Sequence, residues 1–418
     1  MRVARRVFLA SLTASLAAPA ILRRARSDAP LATLKLHHFF SSVSGAHERF
    51  LVPWARQVEA QSGGRIRIDI FPSMQLGGAP AQLLDQARDG LADIVWAAPG
   101  STPGRFVKIE AFELPFVPSR RALVNSRALE DYAAANLQDE FRDVHPLCFS
   151  CRDRGIVHAD RAIRSIAELK GLRLHVTNRL AGEALGALGA YGISVPVPQV
   201  PMALAGHAID GCLDPWDVVP SLHLGDLLKF HTDFAESSLS TSAFVLGMNK
   251  GSYDKLPREL KTVIDANSGQ DAARMAGIMW DLEAMAVAAT ARERGDTVTV
   301  LPAEETVHWR KAAEPVVALW LKQMKERKLD GGRLIAAARA AIAKYAGEPE
   351  PQPFQAPQAS QAPDPKPVSE PVPSQAAQAA KVPQLPQAKA EVIAPKPDAP
   401  AVAPAVKRAA PKELDIPL

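Results

Sequence analysis

Apolar and polar positions alternate along Ala32–His38 as a half-buried strand requires, with Leu34 and Leu36 on one face. From Gly45 to Ser62 the period lengthens. Phe50, Leu51, Trp54 and Val58 recur at helical spacing, and Gly63-Gly64 marks the stop. Arg65–Phe71 alternates again, with Ile66, Ile68 and Ile70 inward, until Pro72 breaks the run. A second helix is predicted over Pro80–Gly90, carried by Leu83, Leu84 and Ala87, and a buried strand over Ala92–Ala97. Strand–helix–strand–helix–strand is the succession of a parallel sheet covered by helices.

The same rhythm returns between Ala167 and Pro220. A strand (Leu172–Val176), a helix (Arg179–Leu188), a strand (Gly192–Val197), a short helix (Pro201–Gly206) and a strand (Ala208–Leu213) follow one another. Two separate α/β units predict two lobes, and ligands of such folds gather where strand ends face a cleft. From Pro257 to Arg294 there is almost no turn chemistry; Pro257 stands where a first helical residue would, and Gly295 closes the far end. One helix of that length would measure about 55 Å at 1.5 Å per residue, and Gly269 and Gly277 are the places where it would bend or divide. Helices over Ala303–Glu326 and Gly332–Tyr345 complete the globular part.

Composition changes this picture mainly at the two ends. The chain of 418 residues suffices for two domains or one large two-lobed body. A net charge of +4 gives no reason to expect nucleic acid. Of 35 prolines, 17 lie between Pro349 and Pro417. Residues 349–418 contain no Gly, Phe354 as the single aromatic residue, and seven acidic against seven basic side chains. Such a segment buries too little apolar surface to offset the entropy of folding and is expected to be a disordered tail. Its extended reach would be on the order of 100–200 Å. It serves either as a solvated appendage or as a tether to another envelope component. At the other end, Arg2, Arg5 and Arg6 precede an apolar run, Val7–Leu22, and small residues follow at Ala25 and Ser27. Residues 1–27 therefore read as a signal peptide. Arg5-Arg6-Val7-Phe8-Leu9 resembles a twin-arginine export signature, with an ordinary secretory signal as the alternative. No Cys follows the run, and no later stretch is long and apolar enough to span a bilayer.

Candidate chemistry for an enzyme is sparse. The ten histidines form no His-Glu-x-x-His zinc spacing, and neither a Gly-x-Ser-x-Gly elbow nor a phosphate-cradling Gly loop is present. No catalytic residue, metal or cofactor is expected. Cys148-Phe-Ser-Cys151 has redox-motif spacing, yet HPLCFSCRDRGIVHA reads as extended, and strand positions three apart face opposite sides. Buried thiols are the expectation, with a Cys-x-x-Cys oxidoreductase as a third-ranked alternative.

Several phrases taken together resemble the periplasmic solute-binding subunit of tripartite ATP-independent periplasmic (TRAP) transporters, the DctP-like family. They are SGGRIRIDIFPSMQLGG, DGLADIVWAAPGSTPGRF and FELPFV in the first lobe, then IAELKGLRLHVTN and ALAGHAIDGCLDPWDVVPSL in the second. Their order and spacing cover residues 32–345. The resemblance implies an α/β, two-lobed periplasmic-binding-protein fold, type II-like, with a long helix spanning both lobes. It places residues 28–151 with 241–279 in the first lobe and 152–240 with 280–348 in the second. It also implies a periplasmic protein that captures a small organic-acid or other polar ligand, closes over it, and delivers it to TRAP membrane subunits. Presentation of ligand to a sensor or receptor is the alternative partner.

The family's ligand clamp is an Arg in the phrase G-L-K-[IL]-R-V-P, whose planar fork gives a carboxylate two parallel bonds. Here the phrase reads Gly171-Leu172-Arg173-Leu174-His175-Val176-Thr177, so His175 holds the clamp position with a pH-dependent charge. Arg179, at the opening of a helix, and Arg154, beside Gly155, are the candidate replacements; each is otherwise a solvated surface arginine. Asn178 matches a family contact and is equally an N-cap. The resemblance also carries Asp214, which would favour a ligand with an amine or several hydroxyls, and Trp216 as an aromatic face or a core residue. In the first lobe it carries Ala98 and Pro99 at a strand end. His38 and Phe40 sit at the end of the first strand, facing the expected cleft.

Overall fold

The computed structural model of the protein describes residues 29–352, residue 236 excepted. The expected signal peptide, 1–27, and the expected tail beyond residue 352 lie outside the described residues. Strands run in chain order as β1 (Ala32–His38), β2 (Ile66–Phe71), β3 (Ile94–Ala97), β4 (His145–Cys151), β5 (Ile156–Ala159), β6 (Arg173–Val176), β7 (Tyr191–Ile193), β8 (Gly211–Asp214), β9 (Phe230–Phe234), β10 (Ala243–Met248) and β11 (Thr297–Leu301). They form two sheets, β2-β1-β3-β10-β4 and β11-β9-β5-β8-β6-β7. The alternating segments are the parallel part of the first sheet: β1 pairs β2 in register Leu34↔Ile68 and β3 in register Leu36↔Ile94. β10 enters antiparallel between β3 and β4, from far along the chain. β5 is likewise antiparallel to both of its neighbours, β8 and β9.

Each sheet is covered on both faces. Helices Leu83–Asp89 and Ala122–Asn136 pack on one side of the first sheet around Leu84, Phe112 and Leu129. Helices Val52–Gln61 and Arg258–Ala266 pack on the other around Phe50, Trp54 and Leu260. Cys148 belongs to one of these cores and Cys151 to the other, because residues three apart on β4 point to opposite faces. Both are free thiols whose pKa burial pushes well up, which leaves them unreactive.

The long apolar stretch after Pro257 is two helices. Asn267 and Ser268 leave the helical path, Gly269 takes a φ of +63°, and the second helix runs Gly269–Glu293. Gly277 produces no bend. A Cβ there would stand 2.5 Å from Leu123 Cα, so this glycine lets two helices approach closely. One turn on, the Asp281 carboxylate accepts from the Ala122 and Leu123 amides at 2.7 and 3.2 Å and caps the neighbouring helix. The far end of Gly269–Glu293 meets β11, so this helix serves both sheets.

Two other connections join the lobes. Residues 152–155 and 240–242 cross side by side, with Arg152 N donating to Ser242 O at 2.9 Å and Gly155 N to Ser240 O at 2.7 Å. Helix Ala303–Glu326 places Trp309 and Ala313 in the second-lobe core and Val316, Trp320 and Met324 in the first-lobe core, with Pro315 between the two sets. The expected assignment of 280–348 to the second lobe differs from the packing here. Helix Gly331–Tyr345 lies against Ala122–Asn136 and buries Leu334, Ile335 and Ala338 in the first core. The first residues of the expected tail are also held there, Arg121 Nη2 donating to Pro349 O at 2.7 Å.

Candidate functional site

Where β1, β3 and β10 end, the first lobe presents a wall of rings. Phe40 lies 5.3 Å from Trp96, 5.8 Å from Phe244 and 5.9 Å from Trp280, centroid to centroid. Phe39 stacks on Phe40 at 4.3 Å. Neither Trp96 Nε1 nor Trp280 Nε1 has a hydrogen-bond partner among the described residues, although both atoms are buried. A buried indole N–H ordinarily finds an acceptor. Trp216 Nε1, outside this wall, is unpartnered as well.

Arg152 enters this wall from the crossing segment. Its guanidinium carbon stands 5.2 Å from the Trp280 ring centre and 5.5 Å from that of Phe40, a cation–π arrangement. The side chain is 10% exposed, and its Nη2 donates to both oxygens of Asp217 at 2.6 and 2.5 Å. Its Nε is buried without a partner. Glu283, one turn past Trp280 on the long helix, shows the same incompleteness: Oε1 takes Arg49 at 2.9 Å and Oε2 takes nothing. Burial, and then the charge of Asp217, raise the Glu283 pKa. Burial raises that of Asp217 against the pull of Arg152.

The residues singled out in the second lobe behave differently. His175 is buried on β6, with Nδ1 2.7 Å from Asp214 Oδ2 and Nε2 3.2 Å from Val195 O. Both partners are acceptors, an arrangement that favours the imidazolium form, in which both ring nitrogens donate. Burial would lower its pKa, but the hydrogen bond and charge of Asp214 outweigh burial and raise it. The two ring nitrogens of His175 thus face protein acceptors, and Asp214 Oδ2 is turned to His175. Asn178 caps helix Arg179–Ala187 by accepting from Ala181 N at 2.8 Å, and donates to Thr241 O at 3.0 Å. Arg179 is not open either. It reaches across to Glu110 in the first lobe at 2.9 Å and to Glu183 at 2.6 Å. Arg154 is held by Asp233 at 2.6 and 2.7 Å and by Asp153 at 3.1 Å, at the joint between the lobes.

Trp216 lies with Ile156, Ala284 and Ala288 in a small core behind the crossing segments, its ring 5.2 Å from His158. It does not join the aromatic wall. In the first lobe, Phe40 is in the wall itself. His38 pairs through Nε2 with His47 Nδ1 at 3.0 Å, and burial followed by its two neighbouring histidines lowers its pKa to about 3, keeping it neutral. Ala98 and Pro99 form the rim where the lobes touch: a Cβ on the adjacent Gly100 would stand 3.4 Å from Asn178 Cβ. Of the ten expected residues, the structure brings Phe40 into the space around Arg152, sets Ala98 and Pro99 at its edge, and pairs off or buries the others.

The residues that sequence reasoning passed over are Arg152, Trp280, Glu283 and Phe244. Arg152 and Arg154 are two positions apart around one Asp, and local sequence does not say which guanidinium is paired away. The deciding partner of Arg154, Asp233, is 79 residues on. A signal did exist for Trp280 and Glu283, at i and i+3 on one helical face.

The sequence profile of bacterial extracellular solute-binding proteins, family 7 (DctP), matches residues 37–324. The structure resembles that of a TRAP solute binding protein from Rhodoferax ferrireducens in complex with copurified benzoate. The two are 40% identical with a TM-score of 0.72, over 75% of this chain and 98% of that one. A marine metagenome TRAP solute binding protein specific for aromatic acid ligands, from an unidentified microbe and in complex with 3-hydroxybenzoate, is 38% identical with a TM-score of 0.72, again over 75% and 98%. An uncharacterized protein of Sinorhizobium fredii is 26% identical over 232 residues, 54% of this chain; the match spans 42% of that protein, less than half its length. With the profile spanning most of both lobes, the chain belongs to the DctP family, family 7 of the bacterial extracellular solute-binding proteins.

Proposed function

We propose that this chain is the periplasmic solute-capturing subunit of a TRAP transporter and that its ligand is a small aromatic carboxylate, released unchanged to the membrane subunits. The observation that carries this reading is the buried Arg152, laid against Trp280 and Phe40 with its Nε unpartnered. A carboxylate would complete that guanidinium through a charge-assisted bond, while the ring would stack against Phe40, Trp96, Phe244 and Trp280. The benzoate and 3-hydroxybenzoate held by the two relatives above support the same class. Closure follows from ligand contacts made by both lobes, because a ligand shifts an open–closed equilibrium only through its differential affinity for the two states. Among the described residues no helix is long and apolar enough to cross a membrane.

The test is a thermal-shift panel of the purified chain against benzoate, hydroxybenzoates and phenylacetate, with succinate, glucuronate and pyroglutamate as the comparison. Ligand at about 100 times its Kd adds about 2.7 kcal/mol to stability, an easily measured rise in Tm. The reading expects that rise from the aromatic acids. A rise from the aliphatic acids alone would refute it.

A further inference from the structure

We propose that Glu283 selects, among the aromatic acids of the reading above, those with a hydrogen-bond donor on the ring, a phenol-type hydroxyl or a ring amine, over the bare ring. The inference rests on that reading and goes beyond it to a single residue and a single ring substituent.

Glu283 is 7% exposed, and its two oxygens have different fates. Oε1 is held by Arg49, whose side chain is 57% exposed at the rim. Oε2 is buried and accepts nothing. Gly45 packs beside this oxygen: a Cβ there would stand 1.9 Å from Oε2 and 2.5 Å from Arg49 Nη2. Leaving a buried acceptor open costs more than the bond itself is worth, and native proteins rarely tolerate it. Asp217 cannot help, since it is another acceptor and already occupied by Arg152.

The placement also suits a ring with two polar ends. Trp280 and Glu283 are three residues apart on one helix, about 4.5 Å along its axis at 1.5 Å per residue. Arg152 lies over Trp280 and Glu283 follows it by one turn, so the open guanidinium N–H and the open carboxylate oxygen belong to two neighbours of the same residue. A ligand carboxylate belongs with Arg152 and is repelled from Glu283. A substituent reaching Glu283 must therefore donate.

Calorimetric titration of the full chain with benzoate, 3- and 4-hydroxybenzoate and their methoxy counterparts tests this. At least one hydroxybenzoate should bind about tenfold or more tighter than both benzoate and the methoxy acid of the same position, the strength of one hydrogen bond to a charged group. Glu283→Leu should bring that ratio to within about twofold. Glu283→Gln, which keeps an acceptor in place, should retain part of the preference. If benzoate binds and the hydroxy acids bind no better, or if methoxy acids are preferred, the role of Glu283 is overturned and the aromatic-acid reading stands. If no aromatic acid binds, both fall. The wild-type panel decides on its own should Glu283→Leu fail to fold.

Discussion

The two walls of the cleft are built by opposite rules. The second-lobe wall is rich in polar side chains, and the main ones are partnered: His175 makes two hydrogen bonds, Asn178 makes two, and Arg179 is shared by two carboxylates, with Trp216 Nε1 and Glu183 Oε2 as the unpartnered exceptions. The first-lobe wall is mostly aromatic, and the polar atoms set into it are left open, at Trp96, Trp280, Arg152 and Glu283. Because a buried polar group without a partner is costly, an unfinished group says more about ligand than a finished one. The proposed site therefore rests on the unmet hydrogen-bonding capacity around Arg152 rather than on density of charge.

Removing the guanidinium is the strongest way to break this contrast. Arg152→Ala should weaken aromatic-acid binding by about 100-fold or more and, by stranding Asp217, cost about 3–5 kcal/mol of stability. Arg154→Ala should cost stability on the same scale through Asp233 while the folded fraction keeps its affinity. Titration calorimetry beside denaturant unfolding separates the two. Equal losses of affinity would erase the distinction between open and partnered arginines.

Glu113 offers the next largest effect. It is fully buried, accepts from Ala243 N at 2.9 Å, and burial raises its pKa from 4.5 to about 8. A carboxyl that prefers its proton in the folded state stabilises fully below pH 4.5, and that contribution is lost as pH rises toward about 8. Glu113→Gln keeps the acceptor and removes the titration. It should match the wild type near pH 4.5 and exceed it at pH 8 by a few kcal/mol, on the order of one per shifted pH unit, measured by urea unfolding at the two values.

His175 sharpens the comparison further. Its folded pKa is raised above 6.5, so its stabilisation is complete below 6.5 and fades as pH climbs through the raised value. Stability should fall over that window, and His175→Gln should remove the slope. Affinity for benzoate should stay level across it, since both imidazole donors face protein acceptors. An affinity that fell in step with imidazolium loss would return His175 to the ligand. The smallest effect belongs to Arg179→Ala, which removes a partly exposed bridge between the lobes. A two- to fivefold change in affinity, within the range of weak ion pairs, and no change in ligand preference is expected from the same calorimetry.

Much of the scaffold was legible because it obeys simple periods. β1 and β2 alternate, Gly90 and Gly63-Gly64 stop helices, and the two thiols of β4 point apart as a strand demands. β10 and helix Ala122–Asn136 were not, and the reason is burial. All six residues of β10 are buried on both faces, and the helix is buried over most of its circumference, so neither shows the contrast that periodicity needs. Phe40 and the strand end at Ala98-Pro99 were read from the sequence and lie beside Arg152 and at the contact between the lobes. The chemistry there was not, because pairing decides it: Arg152 with Asp217 and Arg154 with Asp233 are contacts 65 and 79 residues apart. The clamp position led to His175, whose partner Asp214, 39 residues on, turns it inward.

Pro315 gives the helix Ala303–Glu326 a mechanical character. Proline has no amide proton, so the Lys311 carbonyl lacks its usual helical donor. That missing rung lies between Ala313, packed with the second lobe, and Val316, packed with the first. A continuous rod bolted to two bodies would resist their rotation along its whole length. This one has its thinnest section at the seam, so it works as a leaf spring, bending where the two bodies part and staying rigid where each grips it.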